Sequence, residues 1–253
     1  MKWPRKDIYI AWRLALHNLI ARYRNSLLGF FWSFTYPCVL FLTYYVAFQV
    51  VLKTPFTDKD TLTFGFSIFF WYWIAQCLSE APLIFITNRH LLSKVPLKVI
   101  TLTVSAVLAQ VIHFLFTVAT MTFISILFFG FVPAFQWALM SVVLSALFFC
   151  CAYVILGTLN VFFRDIQHLV TNLMTPLFFF TPVIYDFEKL DKYIQTLLLI
   201  NPLTSFTLLF KNSVTDLSGS ATYFLIALSW LLVNFSLASF VYKKLIKKML
   251  DRL

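Results

Sequence analysis

Arg22 and Arg24 stand just ahead of an apolar run, and no charged residue follows Arg24 until Lys53. A guanidinium left unpaired beside hydrocarbon is costly, so groups at such a border take phosphate or carboxylate partners. At about 100° per residue the two project about 200° apart around one helix and cannot share a task. Arg24 falls beside Arg13 and His17 on a polar face, where lipid headgroup phosphates satisfy it. Arg22 falls at the edge of the apolar stripe, next to Leu19, where an anion is expected to meet it. That anion is either a phosphate-bearing molecule or an acid of the same assembly.

Groups for bond chemistry are thinly spread. Glu80, close to Pro82, is the one acid inside an apolar segment, and His17, His90, His113 and His168 are scattered along the chain. A membrane enzyme needs acids, histidines or a nucleophile gathered at one depth, and a proton-coupled carrier needs several intramembrane carboxylates. Cys38, Cys77, Cys150 and Cys151 lie in apolar runs and read as small hydrophobes; neither a disulfide framework nor a metal set is expected. None of the five glycines is followed by lysine, so a phosphate-binding P-loop is absent from the sequence and no catalytic residue is assigned.

The elements that position the arginines follow from composition. Of 253 residues 61% are hydrophobic and 12% charged. A soluble domain of this length cannot bury so much apolar surface, so an all-α integral membrane fold is expected. The charged N-terminus lacks the features of a cleavable signal peptide, and none is expected. A crossing takes about 20 apolar residues. Six runs qualify: 26–52, 64–85, 99–129, 136–163, 167–185 and 221–242. The turn signal "GFVPAF" (Gly130–Phe135) splits the uncharged stretch 99–163 into a hairpin. The whole chain, 1–253, reads as one transmembrane domain.

Basic residues orient it. Fifteen Lys and Arg fall on the side that holds the N-terminus, the segment after the second run, Arg164 with Asp165, and the C-terminal tail; five fall on the other side, with six of the ten acids. Both termini are expected in the cytoplasm, and the net charge of +10 reads as a membrane-surface bias rather than a nucleic-acid footprint.

Three segments stand apart from the spans. Residues 4–25 place Ile8, Ala11, Trp12, Ala15 and Leu19 at helical spacing and predict an amphipathic helix in the cytoplasmic interface. Residues 86–98, "ITNRHLLSKVPLK", predict a short basic helix ended by Pro96, with Leu91, Leu92 and Val95 exposed. This is either a lever for a soluble partner or plain positive-inside decoration. Residues 186–220 follow Phe178, Phe179 and Phe180, which are bracketed by Pro176 and Pro182. Their apolar stretch 193–203 is too short to span, and Asn201-Pro202 predicts a turn between two short helices.

Five motifs in this order resemble the membrane subunit of type-2 ATP-binding-cassette exporters of polysaccharides: "RYRNSLLGFFWSFTYP" (22–37), "NRHLLSKVPL" (88–97), "LGTLNVFFRDIQHL" (156–169), "TPVIYD" (181–186) and "NPL" (201–203). The resemblance covers nearly the whole chain. It implies a homodimer in a bacterial inner membrane, with two copies of a separate P-loop ATPase docked beneath that carry the ATP and Mg. No cofactor is implied for this chain. The implied cargo is a polysaccharide linked to undecaprenyl pyrophosphate, foremost O antigen, with teichoic acid or capsule as alternatives. An arginine-tyrosine pair opens the family's motif, which implies that Arg22 and Tyr23 meet the lipid pyrophosphate at the entrance, with Arg24 anchoring and Gly29 and Trp32 letting the lipid approach. Asn88, Arg89, His90, Leu91, Leu92, Lys94 and Pro96 take the place of the helix that couples to the ATPase, although the Phe-Pro-Arg of many relatives is missing there. Residues 186–220 take the place of re-entrant periplasmic gate helices. Phe178, Phe179, Phe180, Pro182, Tyr185, Asn201 and Pro202 then belong to the gate and channel, one or two of the phenylalanines closing the resting pore. Readings outside this class are a membrane enzyme of glycan or lipid assembly and a small-molecule efflux subunit.

Overall fold

The computed structural model describes residues 5–23, 32–51, 53, 57–95, 97–130, 136–215 and 220–253, and every regular element among them is helical. α1 is Arg5–Tyr23, and α2 (Trp32–Tyr45) runs on into a π-wound turn, Val46–Val51. α3 (Asp58–Glu80) starts on a capping box. The Thr57 hydroxyl accepts from the Asp60 N–H, while the Asp60 carboxylate accepts from the Thr57 N–H at 3.0 Å. Pro82, which has no N–H to give, then tightens the chain into one 3₁₀ turn, Ala81–Leu83. Two short helices follow, α4 (Ile84–Thr87) and α5 (Arg89–Lys94). α6 (Val99–Phe129) ends on Gly130 at φ 61°, a left-handed conformation that favours glycine, and α7 (Gln136–Phe162) returns after the expected break. α8 (Asp165–Phe179), α9 (Lys192–Leu199), α10 (Pro202–Thr215) and α11 (Ser220–Leu250) complete the order.

Among the described residues four helices are long and apolar enough to cross a membrane: Asp60–Thr87, Val99–Leu127, Trp137–Phe162 and Ala221–Leu250. Lys192–Leu199 with Pro202–Val214 qualifies only as a pair, bent by 110°. One of the six expected crossings comes out shorter, and another is described only in part. The run 26–52 appears as α2 with its π turn over residues 32–51, residues 26–31 lying outside the described set. The run 167–185 keeps its helix only to Phe179. Tight turns replace it, with the Thr181 N–H on the Phe178 carbonyl and the Val183 N–H on the Thr181 carbonyl. Pro182 forbids continuation. At about 1.5 Å per residue α8 reaches about 22 Å, short of a hydrocarbon layer of about 30 Å.

α3 sits at the centre, against α6, α7, α8 and α10. Its Phe70 stacks on Phe210 of α10 at 4.3 Å between ring centroids, and its Trp73 stacks on Phe114 of α6 at 4.6 Å. Phe149 of α7 meets Trp73 edge-on at 5.2 Å, so four helices share one aromatic nucleus. Water is excluded there, and side-chain hydrogen bonds tie helix to helix. The Ser141 hydroxyl donates to the Phe206 carbonyl at 2.9 Å, and the Asn234 amide donates to the Phe148 carbonyl at 3.1 Å.

α1 is docked on the bundle. Ala11 and Ala15 are buried where it lies against α6, Asp7 pairs with Lys98 at the start of α6, and Asn18 shares a cavity with Ala106 and Ala109. The helix therefore follows the first three turns of α6, small residues allowing the close approach. Ile8, Trp12 and Ile20 of the same stripe stay exposed.

Gly157 of α7 marks a tight contact with the bend after α3. A Cβ there would lie 2.7 Å from Ile84 Cγ2 and 2.9 Å from the Phe85 ring, both buried side chains. Gly157→Ala is expected to destabilise the fold by about 1–3 kcal/mol through overpacking. Thermal unfolding of the purified protein in detergent, followed by tryptophan fluorescence, should show a Tm several degrees lower.

Candidate functional site

Most of the sequence-marked residues that are described lie toward two ends of the bundle. At the basic end, the bend after α3 carries α4 and α5. Asn88 ends α4, its side-chain amide donating to the Ile84 carbonyl at 2.8 Å. α5 then presents Arg89, His90, Lys94 and Val95 outward, while Leu91 and Leu92 are partly buried and pack against the core. This corrects the expectation of an exposed leucine pair. The helix is one and a half turns long, and its apolar stripe has the bundle as its only cover. Of the apolar residues expected to face out, Val95 does, at 45% exposure. Pro96 lies outside the described residues.

The turn at Arg164 and Asp165 is joined to the same bend. Both side chains are exposed, but the backbone around them is held by Asn160, only 1% exposed. Its amide nitrogen donates to the Pro82 carbonyl at 2.9 Å, and its Oδ1 accepts from the Gln167 N–H at 3.1 Å. One side chain thus fastens the bend of α3 to the start of α8. Nearby, Gln110 of α6 donates to the Glu80 carboxylate at 2.6 Å. A cavity of about 290 Å³ lies at this joint, lined by Asn18, Glu80, Thr87, Asn88 and Tyr153 among others. Arg22 and Tyr23 are the last two residues of α1 and Trp32 is the first of α2. Arg24 and Gly29 lie outside the described residues.

The three phenylalanines at the other end separate. Phe178 is buried, 6.0 Å from the Tyr44 ring and 5.7 Å from Trp71, whereas Phe179 and Phe180 are 58% and 57% exposed. Beyond them the chain turns without helix, and polar side chains serve its backbone. The Tyr185 hydroxyl donates to the Phe179 carbonyl at 3.1 Å. The Asn201 amide donates to the Thr181 hydroxyl at 3.0 Å, and its Oδ1 accepts the Leu203 N–H, which fixes the expected Asn201-Pro202 turn. Lys211 of α10 donates to the Tyr185 carbonyl at 2.8 Å and to the Pro182 carbonyl at 3.4 Å. The turn is set deep: Trp230, ten residues or about 15 Å into α11, donates to the Leu199 carbonyl at 3.3 Å.

Asn160, Gln110 and Lys211 were not singled out from sequence. For Asn160 and Gln110 the signal was present, an amide within a strongly apolar helix, where a polar group needs a partner; Lys211 sits beside Asn212 in a helix with several other polar residues.

The family described as ABC-2 type transporter matches residues 11–214. The O-antigen export system permease protein RfbA of Myxococcus xanthus is 34% identical over 200 residues, covering 76% of this chain and 75% of the relative. Two proteins of the same description from Klebsiella pneumoniae are 28% identical over 207 residues, covering 79% of each chain, and 25% identical over 198 residues, covering 77% of this chain and 76% of the relative.

Replacing Asn160 tests the joint at the basic end. Asn160→Leu keeps the volume but leaves the Pro82 carbonyl and the Gln167 N–H without their partner, a loss of about 1–3 kcal/mol for a buried group. The expected result is a lower unfolding midpoint together with faster proteolysis at Arg164. A midpoint equal to wild type would show that the amide does not fasten the turn.

Proposed function

The chain belongs to the ABC-2 type transporter family, and on that footing we propose that it is the channel-forming permease subunit of an exporter for lipid-linked polysaccharide, foremost O antigen. The export-permease names of its relatives, at up to 34% identity over about three quarters of each chain, support that cargo. In this reading the chain is no enzyme and holds no cofactor. It is a homodimer in a bacterial inner membrane, both termini are cytoplasmic, and a separate P-loop ATPase pair supplies ATP and Mg. The cargo is a polymer on undecaprenyl pyrophosphate moving from cytoplasm to periplasm. Teichoic acid and capsule are the other polymers of the same chemistry.

The observation that carries the reading is the connected path at the basic end. α5 shows a cationic outer face and is continuous with the bend of α3, and Asn160 ties that bend to α8. A push on α5 by the ATPase reaches α3 directly and α8 through one side chain. At the far end of α8 stand Phe179 and Phe180, both exposed, which in this reading seal the pore, while Phe178 is held by Tyr44 and Trp71. The bent pair α9–α10 takes the part of the re-entrant gate. α1 and α2 together complete the cytoplasmic entrance and the first crossing, and α8 with its turn the fifth, which makes six spans.

Two expectations follow. Val95→Asp with Lys94→Glu alters only exposed positions of α5, so the permease should still reach the membrane while ATPase stimulation and surface polymer fall at least tenfold. Leu91→Asp, by contrast, buries a carboxylate against the core and should lower the amount of protein itself. Full stimulation in the double variant, measured on the copurified complex, would remove α5 as the lever.

The entrance is tested at the arginines. Arg22→Ala should abolish export at normal protein level, with lipid-linked polymer accumulating on the cytoplasmic side, and Arg24→Ala should reduce it only mildly. Equal export from both variants would defeat the assignment of Arg22 to the pyrophosphate. Loss of dimer or ATPase assembly in Arg22→Ala would favour a structural ion pair.

A further inference from the structure

A groove of about 820 Å³ runs between α6, α7 and α11. Ile100, Cys151, Leu231 and Phe235 are among its lining residues, and Tyr242 and Lys243 stand at its basic end. That volume falls within the range of a small-ligand site. Leu232, Phe235 and Leu147 are each half exposed or more, so the groove opens sideways toward hydrocarbon.

Two properties name its occupant. The first is length. From Leu231 to Lys243 the wall follows twelve residues of α11, about 18 Å, against about 15 Å for half of a hydrocarbon core. The groove is one leaflet deep. The second is charge. Lys243 is exposed at one end, Lys244, Lys247 and Lys248 follow it, and residues 220–250 contain no acid. A slot of hydrocarbon depth ending in clustered ammonium groups matches an acyl chain with an anionic headgroup. A second copy of this chain, related by an axis along the membrane normal, would bring its own lysines to the same level and meet repulsion.

We propose that this groove is a binding site for one anionic phospholipid of the cytoplasmic leaflet, its acyl chain between α6, α7 and α11 and its phosphate on Lys243. The leaflet rests on the orientation given under Proposed function; the lipid chemistry does not. A lipid held there would cover α11, the most exposed of the long helices, and brace it against α7.

The test uses the full chain purified with its ATPase in mild detergent and native mass spectrometry. Phosphatidylglycerol and phosphatidylcholine of the same acyl composition are the probes. The wild type should retain one phosphatidylglycerol per chain in preference to phosphatidylcholine. Lys243→Gln, at an exposed position, should weaken phosphatidylglycerol about fivefold and leave phosphatidylcholine unchanged. Ser239→Trp, which fills the groove, should remove both. Equal retention of the two lipids by the wild type, or phosphatidylglycerol binding unchanged in both variants, overturns the site. Displacement of phosphatidylglycerol by an equal concentration of undecaprenyl phosphate overturns the assignment to a phospholipid, and an intermolecular disulfide in Leu232→Cys assigns the groove to a second copy. Side-specific thiol labelling of Lys247→Cys reads the orientation by itself, so its failure is distinct from failure of the lipid to bind.

Discussion

The parallel stack of Phe70 on Phe210 is the contact around which the rest of the bundle is arranged. α10 is too short to cross a membrane by itself and brings with it α9, a bend of 110° and a stretch of non-helical backbone. A segment of that kind stays inside a bundle only if its ring contacts outweigh the entropy of ordering it. Phe210 reaches α3 and α6, Phe206 reaches Phe148 of α7, and the Ser141 hydroxyl caps the arrangement from α7. Each long helix other than α11 therefore presents an aromatic ring to the same place. α3 provides two of them, Phe70 and Trp73.

Amide side chains do a different job at the basic end. In lipid, helices are as soluble in hydrocarbon as they are in each other, so apolar packing alone specifies neither register nor depth. Asn160, Gln110 and Asn88 each accept or donate across an element boundary and fix the order bend, turn, helix. The Gly157 contact removes the remaining freedom by letting α7 press directly on Ile84 and Phe85. Displacement of the bend must then carry α7 along.

Charge-free length made the long helices legible: α6 and α7 lie within a few residues of the apolar runs 99–129 and 136–163. The turn at Asn201-Pro202 was equally plain, since proline and an amide together leave few conformations. α8 was harder. The run 167–185 is apolar enough to cross, and only the local turns at Thr181 and Val183, read with Pro182, stop the helix at Phe179. The leucines of α5 misled for a related reason. A helix of six residues has no period long enough to show which face meets the bundle, so Leu91 and Leu92 looked free until the core was seen to cover them. The partners of Asn160 and Lys211 lie 78 and 26 residues away in sequence, a pairing that periodicity does not encode.

From Phe179 to Tyr185 the chain leaves carbonyls to be served by Lys211, Tyr185 and Asn201. Irregular backbone of this kind cannot stand in oil, where each unmet group costs several kcal/mol. The perimeter of the molecule is therefore divided. α11, bare and apolar along Leu232, Phe235 and Phe240, is its dry flank. The flank of α8 and α9, with Tyr193 79% exposed above a lysine-braced turn, is its wet one, and must look onto water or onto more protein. The two flanks thus ask for different surroundings, hydrocarbon on one side and polar contact on the other.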